Sequence, residues 1–320
     1  QAYGWWTAIN DFQLGPINLN TGGMSVVPFT FLLGVVLLVL LVAWELPRTR
    51  NGKSTLIDIP LFGIRRYGFG NVVALVVSLG EFGILFVLPL WLQSVAGLDA
   101  LTTGALIAFL AVGTLLAGGA ARGVSARLGA TQVVRLGMIL EIIGIIGIGW
   151  GFSTTRSPWW LVIPLMIYGA GLGFASAQLT NVVLADVPME KSGQASAMTS
   201  TFRQVGSALG AAVLGAVLFT GLGDDLGKKL DDLPQVSTQQ AEQIVNSVQG
   251  SAGQSIVAME KNPAFAPIVT DAKEAYTDSA KLTALVAAIF VFFGLMASLG
   301  LPKDSVADDT SAAEDLPVAD

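Results

Sequence analysis

Two carboxylates stand alone inside long apolar runs. Glu81 is the tenth residue of Val72–Leu92 and Glu141 the ninth of Val133–Phe152. A charge at bilayer depth is costly and is usually kept for an ion, a proton or a substrate. A midplane carboxyl group can accept a proton from one side and release it to the other, and a cationic substrate can compete for it. The bland reading of Glu81 is a structural bond to a neighbouring helix, and both readings stay open. For Glu141, a structural ion pair competes with a role in proton movement. Arg203, the ninth residue of Ala195–Phe219, lies at a similar depth, about 12–15 Å from the edge at 1.5 Å per residue. It can pair with Glu81 or Glu141, or snorkel to the surface.

The runs that must position these groups define the class. Of the 320 residues 53% are hydrophobic and 12% charged, with a mean hydropathy of +0.67, whereas soluble domains carry about 25% charged residues. Seven runs approach the roughly 20 residues that a helix needs to cross a bilayer: Met24–Trp44, Val72–Leu92, Ala105–Ala121, Val133–Phe152, Trp159–Asn181, Ala195–Phe219 and Leu282–Leu301. The expected fold is an all-α integral membrane protein of seven transmembrane helices. Trp44, Trp91, Trp159 and Trp160 mark run ends, where aromatic belts sit. Gly147–Gly151, Gly169–Gly173 and Gly206–Gly210 are small-residue pairs that let helices approach closely. Pro89 and Pro164 fall inside runs and are expected to kink them.

Other chemistries drop out. With no Cys and no His, the chain has no disulfide, no haem, no thiolate or imidazole metal site and no Ser-His or Cys-His nucleophile. It is not expected to be an enzyme, and no cofactor is implied. There is no P-loop, so transport would draw on an ion gradient. The acidic residues cluster in Asp224–Asp278 and in the tail from Asp304. The net charge of −6 thus belongs to solvated segments, and without a basic patch nucleic acid is excluded as a partner.

Lys and Arg set the orientation. Arg48, Arg50, Lys53, Arg65, Arg66, Arg122, Arg127, Arg135 and Lys191 fall on one side, and only Arg156 lies in a short loop on the other. The first side is expected to be cytoplasmic. Residues 1–23 are then an extracytoplasmic loop, 24–44 a linker helix and 45–69 a cytoplasmic linker. Residues 70–301 form the six-helix part, with an extracytoplasmic loop at 221–280 in which Thr238–Val248 can form a surface helix. Residues 302–320 form a disordered acidic cytoplasmic tail. A chain starting at Gln1 with an odd number of spans is expected to be the C-terminal piece of a longer protein.

Three stretches carry a family resemblance. WELPRTRNGKSTLIDIPLF (Trp44–Phe62) resembles the cytoplasmic linker of the fourteen-span drug:proton antiporters of the major facilitator superfamily. FVLPLWLQSVAGLDALTTG (Phe86–Gly104) resembles the helix end and outer turn that follow, and DVPMEKSGQASAMTSTFRQVGSALG (Asp186–Gly210) the penultimate cytoplasmic turn. The resemblance reaches to Leu301. It implies that the last six helices form the C-terminal six-helix bundle, with the N-terminal bundle of the same chain as its missing partner. The loop Gly119–Arg135 resembles a degenerate copy of the superfamily's basic loop, with Ala126 at the acidic position.

The resemblance also implies that the helices of Glu81 and of Gln178 line a central cavity and that the helix of Glu141 is peripheral. Phe82, Phe86, Met166, Tyr168 and Phe174 would then suit lipophilic, cationic substrates. Gln178, Thr180 and Asn181 would bond substrate polar groups or one another, and Gln93 would cap its helix or line the exit. Together these imply a proton-coupled multidrug efflux transporter in the bacterial inner membrane, working by alternating access with the lipid bilayer around it. The alternatives are an exporter of one endogenous compound (an antibiotic, lipid or siderophore) and a non-transporting scaffold or receptor that uses the loop 221–280.

Overall fold

A computed structural model of the chain describes residues 12–14, 17–19, 27–50, 55, 57–233 and 236–300. Most of the expected outer segment 1–23, Lys53 and the tail 302–320 lie outside the described residues. Among these residues the fold is all-α apart from a hairpin of β1 (Phe12–Leu14) and β2 (Ile17–Leu19), paired antiparallel with Phe12 opposite Leu19.

Among the described residues, seven helices are long and apolar enough to cross a membrane. They are α1 (Val27–Arg50), α2 (Arg65–Ser94), α3 (Ala100–Leu128), α4 (Ala130–Gly151), α5 (Val162–Leu184), α6 (Ser192–Asp231) and α9 (Ala266–Ser298). Between α6 and α9 lie the shorter α7 (Thr238–Gly250) and α8 (Gln254–Met259). The apolar side chains of α1 from Phe29 to Trp44 are mostly exposed, as befits a helix whose neighbour is lipid.

The other six long helices pack as a bundle with an internal two-fold pattern. α2 packs on α6 and α9, α5 packs on α3 and α4, and α4 packs on α9, while α6 also packs on α9 with only a slight α3–α4 counterpart. Exchanging the triplet α2, α3, α4 with α5, α6, α9 maps α2–α6 onto α3–α5 and α2–α9 onto α4–α5. Such pseudo-symmetry is what paired repeats of three helices produce in transporters.

The glycine pairs sit at these crossings. A side chain at Gly169 would overlap the Leu110 carbonyl of α3, and one at Gly173 would stand 2.5 Å from that of Thr114. Gly206 and Gly210 leave room in the same way for the Leu75 and Leu79 carbonyls of α2, and Gly147 lies against Pro164.

Two expectations change. Pro164 falls in the first turn of α5, beginning at Val162, where the missing N–H has no partner to lose and no kink is required. The segment expected as a loop, 221–280, is largely helical among the described residues, and α7 covers the surface helix expected at Thr238–Val248. α6 continues to Asp231 on a stripe of five leucines recurring every four residues (Leu214, Leu218, Leu222, Leu226, Leu230), every member fully buried. Ser237 caps α7 with Gln240 in a reciprocal capping box. The Gln249 side-chain amide donates to the Phe219 carbonyl at 2.6 Å, which ties α7 to α6.

At the opposite end of the bundle, the stretch before α2 is tied to the α5–α6 turn. Asp58 pairs with Lys191, Arg66 with Asp186 at 3.7 Å, and the Gln194 amide donates to the Thr55 carbonyl. The Tyr67 hydroxyl adds a bond to the Ala195 carbonyl at 3.1 Å.

Candidate functional site

Glu81 sits between two glycines of α2. A side chain at Gly80 would meet Val291 of α9 at 2.5 Å, and one at Gly83 would overlap Leu214 of α6. Both neighbouring helices are thereby drawn onto α2 at the level of the carboxylate. Glu81 is 2% exposed, and Arg203 of α6 brings Nη2 to 3.8 Å from its Oε2. That distance is a charge contact rather than a hydrogen bond. The same Nη2 donates to Ser176 Oγ of α5 at 3.2 Å.

Tyr168 of α5 is fully buried, and its hydroxyl donates to the Glu81 backbone carbonyl at 2.8 Å. This bond crosses the bundle from α5 to α2. Gly144 of α4 makes room for the tyrosine, since a Cβ there would stand 2.5 Å from Tyr168 Cβ.

Glu141 of α4 turns inward, with no exposed surface. It lies against Gly171 of α5, where an added Cβ would stand 2.7 Å from Glu141 Cγ. Neither carboxylate oxygen has a hydrogen-bond partner. Arg203 takes Glu81 as its ion-pair partner, and α4, expected to be peripheral, directs its acid into the bundle.

Glu81 and Arg203 open on a cleft of about 440 Å³ walled by α2, α3, α5 and α6. Phe82 and Leu85 line it from α2, Leu110, Thr114 and Leu115 from α3, and Leu172 and Ser176 from α5. Its surface is mostly apolar with one ion pair at its wall, which suits a lipophilic molecule carrying a charge.

The remaining sequence candidates scatter. Phe86 lies one turn along from Phe82, with its ring against Gly215 of α6. Gln93 is twelve residues beyond Glu81 near the end of α2, about 18 Å along the helix. Met166 offers its backbone carbonyl to the α3 crossing at Gly113, and neither it nor Phe174 lines the cleft. Gln178 is buried and accepts from the Asn181 amide at 3.4 Å, with Thr180 half-buried beside them. The sequence reading missed the third wall, α3, and Ser176. Thr114, a polar residue within an apolar run, was the available signal; its hydroxyl bonds the Leu110 carbonyl at 3.0 Å.

Residues 16–211 match the family model of the Major Facilitator Superfamily. The chain is 35% identical over 208 residues to the probable actinorhodin transporter of Streptomyces coelicolor, covering 63% of this chain and 35% of that protein. It is 25% identical over 274 residues to the multidrug resistance protein Stp of Mycobacterium tuberculosis, covering 84% and 51%. It is 26% identical over 211 residues to the tetracenomycin C resistance and export protein of Streptomyces glaucescens, covering 64% and 38%. The chain spans between about a third and a half of the length of these relatives.

Proposed function

Because the chain belongs to the Major Facilitator Superfamily of membrane transporters, we propose that it is the C-terminal bundle of a proton-coupled exporter of lipophilic compounds. The observation that carries this reading is the buried Glu81–Arg203 pair on the wall of the cleft. Glu81 binds either a proton or, together with Arg203, remains an ion pair. Protonation removes the charge that holds Arg203 and alters the electrostatics of the wall. A cationic substrate competes for the same carboxylate, so a proton entering from one side displaces cargo bound from the other. Glu141, buried with both carboxylate oxygens free of hydrogen bonds, is a second site for the proton. Rocking of this bundle against an N-terminal bundle would expose the cleft to each side in turn.

The Lys and Arg residues near Arg66 and Lys191 favour a cytoplasmic position for that end, in a bacterial inner membrane. Relatives named for multidrug resistance and for single antibiotics divide the substrate question. The mostly apolar cleft favours a broad range of lipophilic cargo. The higher identity to the actinorhodin transporter favours a narrow one.

The test is ethidium transport by the full-length protein in inverted vesicles under an imposed proton gradient, comparing wild type with Glu81→Gln. Gradient-driven transport that falls to background in the variant, at equal protein level, is the expected result. Undiminished transport in the variant overturns Glu81 as the coupling group. A wild type inactive on ethidium but active on an antibiotic supports the narrow-substrate exporter.

A further inference from the structure

Where α4 meets α5, the outer face of the bundle carries a groove separate from the cleft and its ion pair. It has a volume of about 420 Å³ and follows α4 from Ile143 to Trp150, about 10 Å at 1.5 Å per residue. Gly147, which lacks a side chain, and Pro164 form its floor. Trp150 and Ile163, 80% and 64% exposed, form its rims. Both helices are long and apolar enough to cross a membrane, so these rims face hydrocarbon.

One end of the groove is closed by Arg156 and Trp160 from the connection between the two helices. The Arg156 guanidinium lies 5.5 Å from the centre of the Trp160 ring. A ring contact of this kind engages the charge and leaves the N–H donors in the guanidinium plane available. Arg156 is exposed and takes part in no ion pair among the described residues. The connection from Phe152 to Leu161 contains no carboxylate. An apolar trough headed by an unneutralised guanidinium and flanked by interfacial tryptophans matches the two parts of a phospholipid. An acyl chain would fit the trough, and a phosphate would meet the arginine with the planar fork geometry that favours Arg over Lys.

We propose that this groove binds one anionic phospholipid, with an acyl chain between α4 and α5 and the headgroup phosphate on Arg156. The site is independent of the transport reading, because it requires only that α4 and α5 lie in a bilayer.

Native mass spectrometry of the full-length protein tests it, after equilibration with equal amounts of dioleoylphosphatidylglycerol and dioleoylphosphatidylcholine. The expected result is preferential retention of one phosphatidylglycerol. Retention should fall about tenfold in Arg156→Ala, equivalent to about 1.4 kcal/mol, and recover in part in Arg156→Lys. Ile163→Trp, which narrows the trough from its exposed rim but keeps the arginine, should also release the lipid. Unchanged retention in Arg156→Ala, or equal retention of the two lipids, overturns the proposal. So does displacement by excess glycerol phosphate, which would show that the site reads free phosphate and has no use for a chain.

Discussion

The Glu81–Arg203 pair is asymmetric, and the asymmetry is measurable. Glu81 is 2% exposed and Arg203 28%, so only the arginine has a route to water along its own stem. Arg203→Ala leaves a carboxylate uncompensated in the interior, a loss of about 3–5 kcal/mol. Glu81→Gln leaves a cation that can swing outward and should cost clearly less. The double variant should recover most of the Arg203→Ala loss in thermal unfolding of the full-length protein, whereas simple addition of the two losses would refute the pairing. Glu141 carries the opposite expectation. With both oxygens lacking hydrogen-bond partners, it occupies a place that a flexible apolar side chain of similar volume fills better. Glu141→Met should therefore hold or raise stability, by up to about 1–3 kcal/mol. A simultaneous loss of gradient-driven transport would separate its role in proton movement from any role in folding. The depth of these three residues was legible from their places in the apolar runs. Their azimuth was not, because which acid meets Arg203 depends on how α2, α4 and α6 are rotated by packing.

The elements owe their spacing to glycine, and two substitutions of the same kind should have opposite signs. Replacing glycine by alanine within a helix gains about 1 kcal/mol of propensity. At Gly227 of α6, an added Cβ meets nothing within 4 Å, so Gly227→Ala should be neutral or stabilising by up to that amount. At Gly210 the Cβ would overlap the Leu79 carbonyl of α2, and backbone cannot turn aside as a flexible side chain can. Gly210→Ala should therefore be destabilising by about 1–3 kcal/mol, and it should weaken the nearby Glu81–Arg203 pair by separating α2 from α6. Unfolding midpoints of the two variants that moved together would refute this account of the crossing. The crossings were readable from the spacing Gly169–Gly173 and Gly206–Gly210. The region 221–280 was much less so, because hydropathy averaged over a window loses a buried stripe among polar residues. Leu222, Leu226 and Leu230 recur every four residues between Gly, Asp and Lys, and that period was the signal. In α7 the buried positions, Ala241 and Val248, are too small and too sparse to raise the average.

In the molecule as a whole, the helices that carry the pair are held at both ends. At one end the Trp91 indole donates to Thr277 at 3.0 Å, and the Ser94 hydroxyl bonds the Ala252 carbonyl ahead of α8 at 3.3 Å. At the other end the stretch before α2 is clamped to the α5–α6 turn by Asp58–Lys191 and Arg66–Asp186. A coupling group on α2 and its partner on α6 can respond to one another only if the two helices keep their register, and these contacts fix it near the two ends of α2. The ion pairs are unequal in this work. Asp186 is 51% exposed and is strongly screened, whereas Asp58 is only 10% exposed opposite a half-exposed Lys191. An exposed pair contributes about 0.2–1 kcal/mol, so Asp58–Lys191 should lie towards the upper part of that range and above Arg66–Asp186. Asp58→Lys should lower the unfolding temperature of the full-length protein through repulsion from Lys191, and the swap Asp58→Lys with Lys191→Asp should restore it. Raising the salt concentration should shrink the defect of the single variant, because the Debye length falls from about 10 Å at 0.1 M to 3 Å at 1 M. A swap that fails to restore stability while the single variant is insensitive to salt would show that Asp58 acts through packing, and the clamp would then rest on the neutral bonds of Tyr67 and Gln194.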